Sequence, residues 1–349
     1  MHAPWDFADF DDHELVHFAT DRRTGLRAIL AVHSTHLGPG AGGVRFWHYA
    51  APGEAVADAL RLSRGMSFKN AMAGLPLGGG KAVILADEGH SKTPEMLAAF
   101  ARAVDGLGGR YITAEDVGMT VADLVEIARH TRFVAGLPVP EGAVGGDPGP
   151  HTSYGVYLGV RAAVRRKLGK ESLAGLHLAI QGAGSVAGGL ARRAAADGAR
   201  ISIADIDGER ARRLADEVGG AVVDPAAIMT ISADVLSPNA LGAILTGESI
   251  AALDVPIVAG GANNQLATAA EGDRIHQRGI LYAPDYVINA GGIINVSTEY
   301  LKDGDHDTVR RRIEAIPDRL DAIWDESDAT GRNPAAVADT MAMRLIGRA

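Results

Sequence analysis

The chain has 349 residues, 47% of them hydrophobic and 22% charged, with no cysteine and a formal net charge of −9. At roughly 100–200 residues per domain this length suggests about two domains, and the apolar share excludes a disordered chain. The lack of Cys excludes disulfides, thiolate zinc sites, iron–sulfur clusters and a Cys nucleophile, and the acidic balance argues against general binding of a phosphate backbone.

The N-terminal stretch MHAPWDFADFDDHELVHF carries acidic residues and lacks the basic and apolar regions of a signal peptide. No apolar run approaches the ~18 residues that cross a bilayer, so a soluble cytoplasmic protein is expected, with no membrane partner. Residues 13–34 alternate polar and apolar, with Leu26, Ala28, Leu30 and Val32 on one face and Thr24-Gly25 at the turn, which predicts a hairpin. A Gly-rich loop is expected over LGPGAGGVRF (37–46). Residues 53–66 show helical spacing at Val56, Ala59, Leu60 and Leu62. AGLPLGGGKAVIL (73–85) reads as a loop running into a strand, 93–108 as a helix, YITAEDVGM (111–119) as a strand end and loop, and 121–130 as a helix.

Residues 136–151, GLPVPEGAVGGDPGPH, are the clearest break in composition and predict a domain boundary or hinge. Beyond them, 152–169 reads as a helix, LHLAIQG (176–182) as a strand, the next stretch as a turn and helix, and ARISIAD (199–205) as a strand. GERARRLADEVG is a helix and AVVD a strand. ADVLSPNALG, VPIVAGGANN and ILYAPDYVINAGG each read as a short apolar strand ending in polar and Gly residues, and about 305–348 is helical. This alternation predicts an α/β fold with a parallel, doubly wound sheet.

Gly182-Ala183-Gly184-Ser185-Val186-Ala187 follows an apolar strand and opens a helix, and Asp205 ends the next strand about 20 residues on. Gly182 allows the tight turn, Gly184 lets the backbone approach a pyrophosphate, and Ala187 allows close helix–strand packing. The helix N-terminus offers N–H donors to the phosphates. Asp205 would accept hydrogen bonds from ribose hydroxyls and repel a 2′-phosphate, which favours NAD over NADP.

GMSFKNAMAGLPLGGGKAV places Lys69 and Lys81 around a run of glycines. A phosphate-binding P-loop would need Gly at position 75 and Ser or Thr at 82, and the chain has Leu75 and Ala82. A lysine in a Gly-lined, partly apolar cleft can have its pKa lowered toward working pH and act as a base, while a second lysine holds a carboxylate. A solvated surface lysine is the alternative.

GPGAGGVRFW, the lysine segment, YITAEDVGM, the dinucleotide turn, VAGGANNQL and LYAPDYVINAGGIINV occur in that order. Together, from about residue 12 to about 325, they resemble the amino-acid dehydrogenases of the glutamate/leucine/phenylalanine/valine family, above all its leucine-specific members. The resemblance implies NAD-dependent, reversible oxidative deamination of an L-amino acid to a 2-oxo acid and ammonia. By motif, Lys81 is similar to the catalytic base, Asp116 to the acid/base partner at the amino group, and Lys69 to the lysine that binds the α-carboxylate. Ala41, Gly42, Gly43, Met66, Ala114, Ile293 and Val296 match substrate-side positions. Asn263 matches a residue shared by substrate and nicotinamide ribose. Thr152, Gly182, Gly184, Ser185, Val186, Asp205, Ile206, Asn239, Ala240 and Asn289 match cofactor-side positions.

In this family a lysine precedes the GG pair when the substrate carries a side-chain carboxylate; here that position is Ala41. Burying a carboxylate there without a charge partner would cost several kcal/mol, so an apolar side chain is favoured. Ala41 enlarges the pocket as in phenylalanine enzymes, whereas Ile293 and Val296 resemble leucine enzymes. Leucine, valine and isoleucine are the expected substrates, with phenylalanine the alternative.

The resemblance implies an N-terminal substrate-binding and oligomerisation domain (1–138 with about 326–349), a Rossmann-type NAD-binding domain (145–325), and a cleft between them that closes about the Gly/Pro segment. It also implies a homodimer through the first domain. An octamer is not expected, because the sequence stops at Gly347-Arg348-Ala349, short of the extension that octameric members carry. Two other classes stay open: a non-catalytic NAD sensor, and a hydroxy-acid dehydrogenase, which would use a His/Arg pair instead of two lysines. His13/His17 and His33/His36 sit in no metal motif, so no metal is expected. Arg165-Arg166-Lys167 and Arg310-Arg311-Arg312 read as solvated helix faces, with no nucleic-acid partner.

Overall fold

The computed structural model describes residues 4–87, 91–240 and 242–348. The first three residues of the N-terminal stretch, Leu241 of SPNALG and Ala349 lie outside the described residues. The chain divides into two compact α/β units. One holds Met1–Gly146, Val296–His306 and Ala342–Ala349; the other holds Asp147–Asn295 and Asp307–Met341. The boundary at Gly146 falls inside the Gly/Pro-rich stretch. Two boundaries differ from the sequence reading: residues 326–341 go with the second unit, and 296–306 go with the first. A helical C-terminal stretch has no composition break that would mark either change.

The first unit is built on a five-stranded sheet. Its strands are β1 (Leu15–Asp21), β2 (Leu26–Ser34), β3 (Gly40–Trp47), β4 (Gly78–Leu85) and β5 (Tyr111–Glu115), in the order β1-β2-β4-β3-β5. The β1–β2 hairpin is antiparallel and turns through Gly25, whose φ of 74° suits glycine. The pleat of β2 sends Ala28, Leu30 and Val32 to one core, with Phe100, Val104 and Leu124 of α2 (Pro94–Gly106) and α3 (Val121–Ala128). Ile29 and Ala31 go to the other core, under Val56, Ala59 and Leu60 of α1 (Pro52–Met72).

Two expectations change here. The Gly-rich segment expected as a loop over 37–46 is mostly strand: β3 pairs in parallel with both β4 and β5. Glycine has low strand propensity, but here it is required sterically, since a Cβ on Gly42 would lie 1.9 Å from the Gly80 carbonyl oxygen. The helix expected over 53–66 runs on to Met72, so Met66 and Lys69 stand on a helix. That helix lies close on the sheet because a Cβ on Gly79 would come within 2.1 Å of the Ser67 nitrogen.

The second unit is a six-stranded parallel sheet: β6 (His177–Gln181), β7 (Arg200–Ala204), β8 (Ala221–Val222), β9 (Val235–Pro238), β10 (Ile257–Val258) and β11 (Leu281–Tyr282). The order is β11-β10-β9-β6-β7-β8. This is the Rossmann order, with its switch point between β6 and β9. Helices α4 (Gly149–Leu168), α5 (Ser185–Ala196), α6 (Gly208–Val218), α7 (Gly247–Ala252), α8 (Ala270–Gln277) and α9 (Asp285–Ile288) follow in chain order. They continue with α10 (Gly291–Leu301), α11 (His306–Glu314), α12 (Ile316–Thr330) and α13 (Pro334–Leu345). The stretch 280–292, expected as one strand, is a two-residue strand followed by α9, because Pro284 restricts φ and cannot donate to the ladder. Among the described residues no helix is long and apolar enough to cross a membrane.

The basic clusters are not simply solvated. Arg165 pairs with Asp321, and Arg166 pairs with Asp325 and Asp328, which ties α4 to α12; Lys167 donates to the Gly279 carbonyl. Arg310 pairs with Asp307 on its own helix.

Candidate active site

Lys81 projects from β4 on the side of the sheet that α1 covers, in register with Gly79 and Val83. It is only 6% exposed and forms an ion pair with Asp116 Oδ2. Asp116 follows β5 and is not the cap of α3, a role taken by Thr120. The loop that carries it presses on β3, since a Cβ on Gly43 would lie 2.8 Å from the Asp116 Cβ. The same Oδ2 accepts a second bond, from Arg45 Nε at 2.9 Å. The other carboxylate oxygen, Oδ1, has no hydrogen bond among the described residues.

The electrostatics follow from burial. Desolvation pushes the Lys81 ammonium below its ordinary pKa, and the Asp116 carboxylate offsets only part of this. For Asp116, burial alone would raise the pKa. The charges of Lys81 and Arg45 outweigh it and hold the carboxyl at about 2. The pair therefore joins an ionised carboxylate with an open oxygen to an amine whose proton is loosely held. That combination suits proton exchange with a bound amine or water.

Lys69 lies in the last turn of α1, one turn beyond Met66, so the two share a side of the helix. Met66 reaches Gly42: a Cβ there would come 3.0 Å from Met66 Cγ. Ala41 is buried on β3 in register with Ile112 of β5, and Ala114 is half-buried on β5 in register with Gly43. Lys81, Asp116, Lys69, Met66, Ala41, Gly42, Gly43 and Ala114 thus all belong to the first unit.

Sequence reasoning missed Arg45 and the groups behind it. Arg45 donates from its NH1 nitrogen to Asp58 Oδ2 at 2.9 Å, and Asp58 also accepts from Tyr49 Oη at 2.7 Å and from Arg61 at 2.9 Å. The available signal was an arginine between Val44 and Phe46. Expecting a loop there hid it.

In the second unit the glycine loop leaves β6 with Gly182 at φ 97° and Gly184 as the N-terminal cap of α5. No atom lies within 4 Å of a Cβ built on Gly184, and no side chain caps the first turn, so the helix N-terminus has room for an anionic group. Ser185 and Val186 form that first turn. Asp205, just past β7, accepts from Ala183 N at 2.7 Å and from Asp207 N at 2.8 Å. Ile206 beside it is 94% exposed.

Across the switch point, Asn239 and Ala240 follow β9 and pack on Gly182. Asn239 Oδ1 accepts from Gly261 N at 2.9 Å. Asn289 Nδ2 donates to Asn263 Oδ1 at 2.7 Å, and Asn289 Oδ1 is buried with no partner among the described residues. Thr152 on α4 abuts Gly292, where a Cβ would meet its Oγ1 at 2.5 Å. Ile293 and Val296 lie three apart on α10, both half-buried; Val296 approaches Gly136.

His13 and His33, weighed as metal ligands, are buried and hydrogen-bonded to Ser63 and Ser67, and His36 packs on Gly347. Among the described residues no group of His, Asp or Glu is arranged to hold a metal ion.

Two family profiles match the chain. "Glu/Leu/Phe/Val dehydrogenase, dimerisation domain" covers residues 13–133, and "Glutamate/Leucine/Phenylalanine/Valine dehydrogenase" covers 209–348. The leucine dehydrogenase of Geobacillus stearothermophilus is 45% identical over 335 residues, which is 96% of this chain and 91% of that protein. The valine dehydrogenase of Streptomyces albus is 44% identical over 345 residues, 98% of this chain and 94% of that one. Among solved structures, the L-tryptophan dehydrogenase of Nostoc punctiforme superimposes with a TM-score of 0.85 at 38% identity and covers 96% of both chains.

Proposed function

This chain belongs to the Glu/Leu/Phe/Val dehydrogenase family, and from that premise we propose that it catalyses the NAD-dependent, reversible oxidative deamination of an apolar L-amino acid, with leucine, valine and isoleucine as substrates. The observation that carries the reading is the buried Lys81–Asp116 pair with its open carboxylate oxygen. The burial of its ammonium, with the Lys81 side chain only 8% exposed, sets this pair apart from a surface lysine. An NAD sensor would not need the pair at all.

A dinucleotide suits the loops of the second unit. The open space at Gly184 and the uncapped first turn of α5 suit a pyrophosphate. The Asp205 carboxylate suits ribose hydroxyls and disfavours a 2′-phosphate. The exposed Ile206 suits one face of a flat ring, and the unpartnered Asn289 Oδ1 suits an amide donor such as a carboxamide. The bound nicotinamide would supply one thing, a hydride acceptor for the amino acid's Cα.

In the proposed mechanism Lys69 pairs with the α-carboxylate and fixes the amino acid's orientation. Asp116 Oδ1 accepts a proton from the substrate ammonium, leaving a neutral amine whose lone pair helps expel the Cα hydride. Loss of that hydride leaves an iminium. Lys81, as the free amine, takes a proton from water, whose oxygen attacks the iminium carbon to give a carbinolamine. Lys81 returns its proton to nitrogen and takes the hydroxyl proton as the carbinolamine collapses, which releases ammonia and the 2-oxo acid; the proton taken by Asp116 passes to solvent.

The identities of 44–45% with leucine and valine dehydrogenases favour aliphatic substrates over aromatic ones, against 38% for a tryptophan enzyme. Ala41 leaves no cation for a glutamate side chain. The description of the N-terminal profile as a dimerisation domain supports a homodimer through that region.

The test is NADH formation at alkaline pH with NAD⁺ and leucine, valine, isoleucine, phenylalanine or glutamate. Turnover of the three aliphatics with little on glutamate is the expected result. A phenylalanine preference would mean that Ala41 outweighs Ile293 in shaping the pocket. Silence on all five with NAD⁺ still bound would end the catalytic reading.

A further inference from the structure

Behind the Lys81–Asp116 pair stands a second layer of charge. Arg45 reaches from β3 with its Nε on Asp116 Oδ2 and its NH1 nitrogen on Asp58 Oδ2, each at 2.9 Å. Asp58, on α1, is held from two further sides by Tyr49 and Arg61. Burial by itself would raise the Asp58 pKa; its three donors reverse that and keep it ionised. The far side of this layer opens into a groove of about 510 Å³ lined by Arg45, Trp47, Tyr49, Asp58, Arg61 and Val117.

We infer that Arg45, anchored by Asp58, is a positioning residue for Asp116: with Lys81 it holds Oδ2, so that Oδ1 stays turned to the reacting amine. The inference rests on the catalytic reading of Lys81 and Asp116 given above. A carboxylate held by one cation can rotate about its Cβ–Cγ bond and swap oxygens. A carboxylate whose single oxygen is held by two donors from two strands cannot do so without losing both bonds. Arginine suits this place because its planar fork bridges two carboxylates at fixed spacing, which a lysine ammonium cannot do. Arg45 also sets the charge of the site. Its cation close to Lys81 disfavours the ammonium form, so it helps to keep the base free of its proton.

Arg45→Gln removes both effects. The expected result is a fall in kcat of about tenfold or more and an upward displacement of the acid limb of the kcat/KM profile by about half a pH unit or more, with KM for NAD⁺ unchanged. Arg45→Lys restores the charge without the fork, so the acid limb returns toward wild type while kcat stays low. Asp58→Asn loosens the anchor and gives a smaller change of the same sign. A second readout needs no turnover: trace acetylation of lysines across a pH series, followed by peptide mass spectrometry, gives the ionisation of Lys81 directly. Its midpoint rises in Arg45→Gln. If the wild-type protein deaminates no amino acid but the Lys81 midpoint still rises, the proposed function fails and the positioning role with it, and only the charge coupling of Arg45 to Lys81 stands. If neither the acid limb nor the Lys81 midpoint moves in either Arg45 variant, or kcat falls equally at every pH along with thermal stability, the inference is overturned.

Discussion

Asp205 accepts the backbone N–H of Ala183 at 2.7 Å, so the carboxylate at the end of β7 ties down the glycine loop at the end of β6. The residue proposed to select the ribose is thus also an anchor for the loop proposed to hold the phosphates. The two roles come apart by substitution. Asp205→Asn keeps an oxygen for Ala183 and loses the charge; it is expected to admit NADP⁺ with little change in KM for NAD⁺. Asp205→Ala loses the anchor as well, and KM for NAD⁺ should rise about tenfold or more. KM for both cofactors in both variants checks this, and equal values throughout would refute it.

Removing the base isolates chemistry from binding. Lys81→Ala leaves Asp116 paired with Arg45, so the carboxylate is not abandoned in a buried site. We expect kcat to fall about a thousandfold, with NAD⁺ affinity by fluorescence titration close to wild type. Turnover within tenfold of wild type would remove Lys81 from the mechanism.

Acid should weaken the first unit through His33, which has no exposed surface. Its ring faces His13 at 4.9 Å, Ser67 Oγ at 2.8 Å, Asp11 Oδ2 at 3.1 Å and an Arg348 guanidinium nitrogen at 2.8 Å. Arginine can only donate and a carboxylate can only accept, so Nε2 stands between a donor and an acceptor. Burial first, then Arg348 and His13, push the pKa from 6.5 to about 4. A base with a depressed folded pKa contributes fully above its unfolded value, and that stability is lost as pH falls from 6.5 toward 4. The loss is at most about 3 kcal/mol. Urea midpoints across this window should fall in the wild type and flatten in His33→Gln. A slope unchanged in that variant would assign the effect elsewhere.

Much of the fold is legible in the sequence because its signals are local. The β1–β2 hairpin follows from alternation and one glycine, and the Rossmann turn follows from glycine spacing between a strand and a helix. What escaped depends on distance. Gly40–Gly43 reads as a loop until Gly80, Glu115 and Met66 are seen pressing on it, and β3 is a strand because its neighbours demand close approach. α7, α8 and α10 are helices that gave no signal strong enough to read. At the site, the family motifs already pointed to Lys81 and Asp116. Arg45 and Asp58 were invisible, since their meaning lies in bonds between a strand, a helix and a loop far apart in the chain.

The discontinuity of the first unit bears on its biosynthesis. Its opening 146 residues leave the ribosome early, but Val296–His306 follows only after the whole of Asp147–Asn295 has been made. Until then the Gly136 N–H lacks the Glu299 carboxylate that it donates to at 3.2 Å, and Gly145 lacks the side chain it packs on. The second unit is likewise incomplete until Asp307–Met341 has been made. Ribosome-bound chains stalled before residue 296 should therefore show faster proteolysis around residues 136–146 than released protein does, and equal rates would mean that the first unit closes without its late strands of sequence.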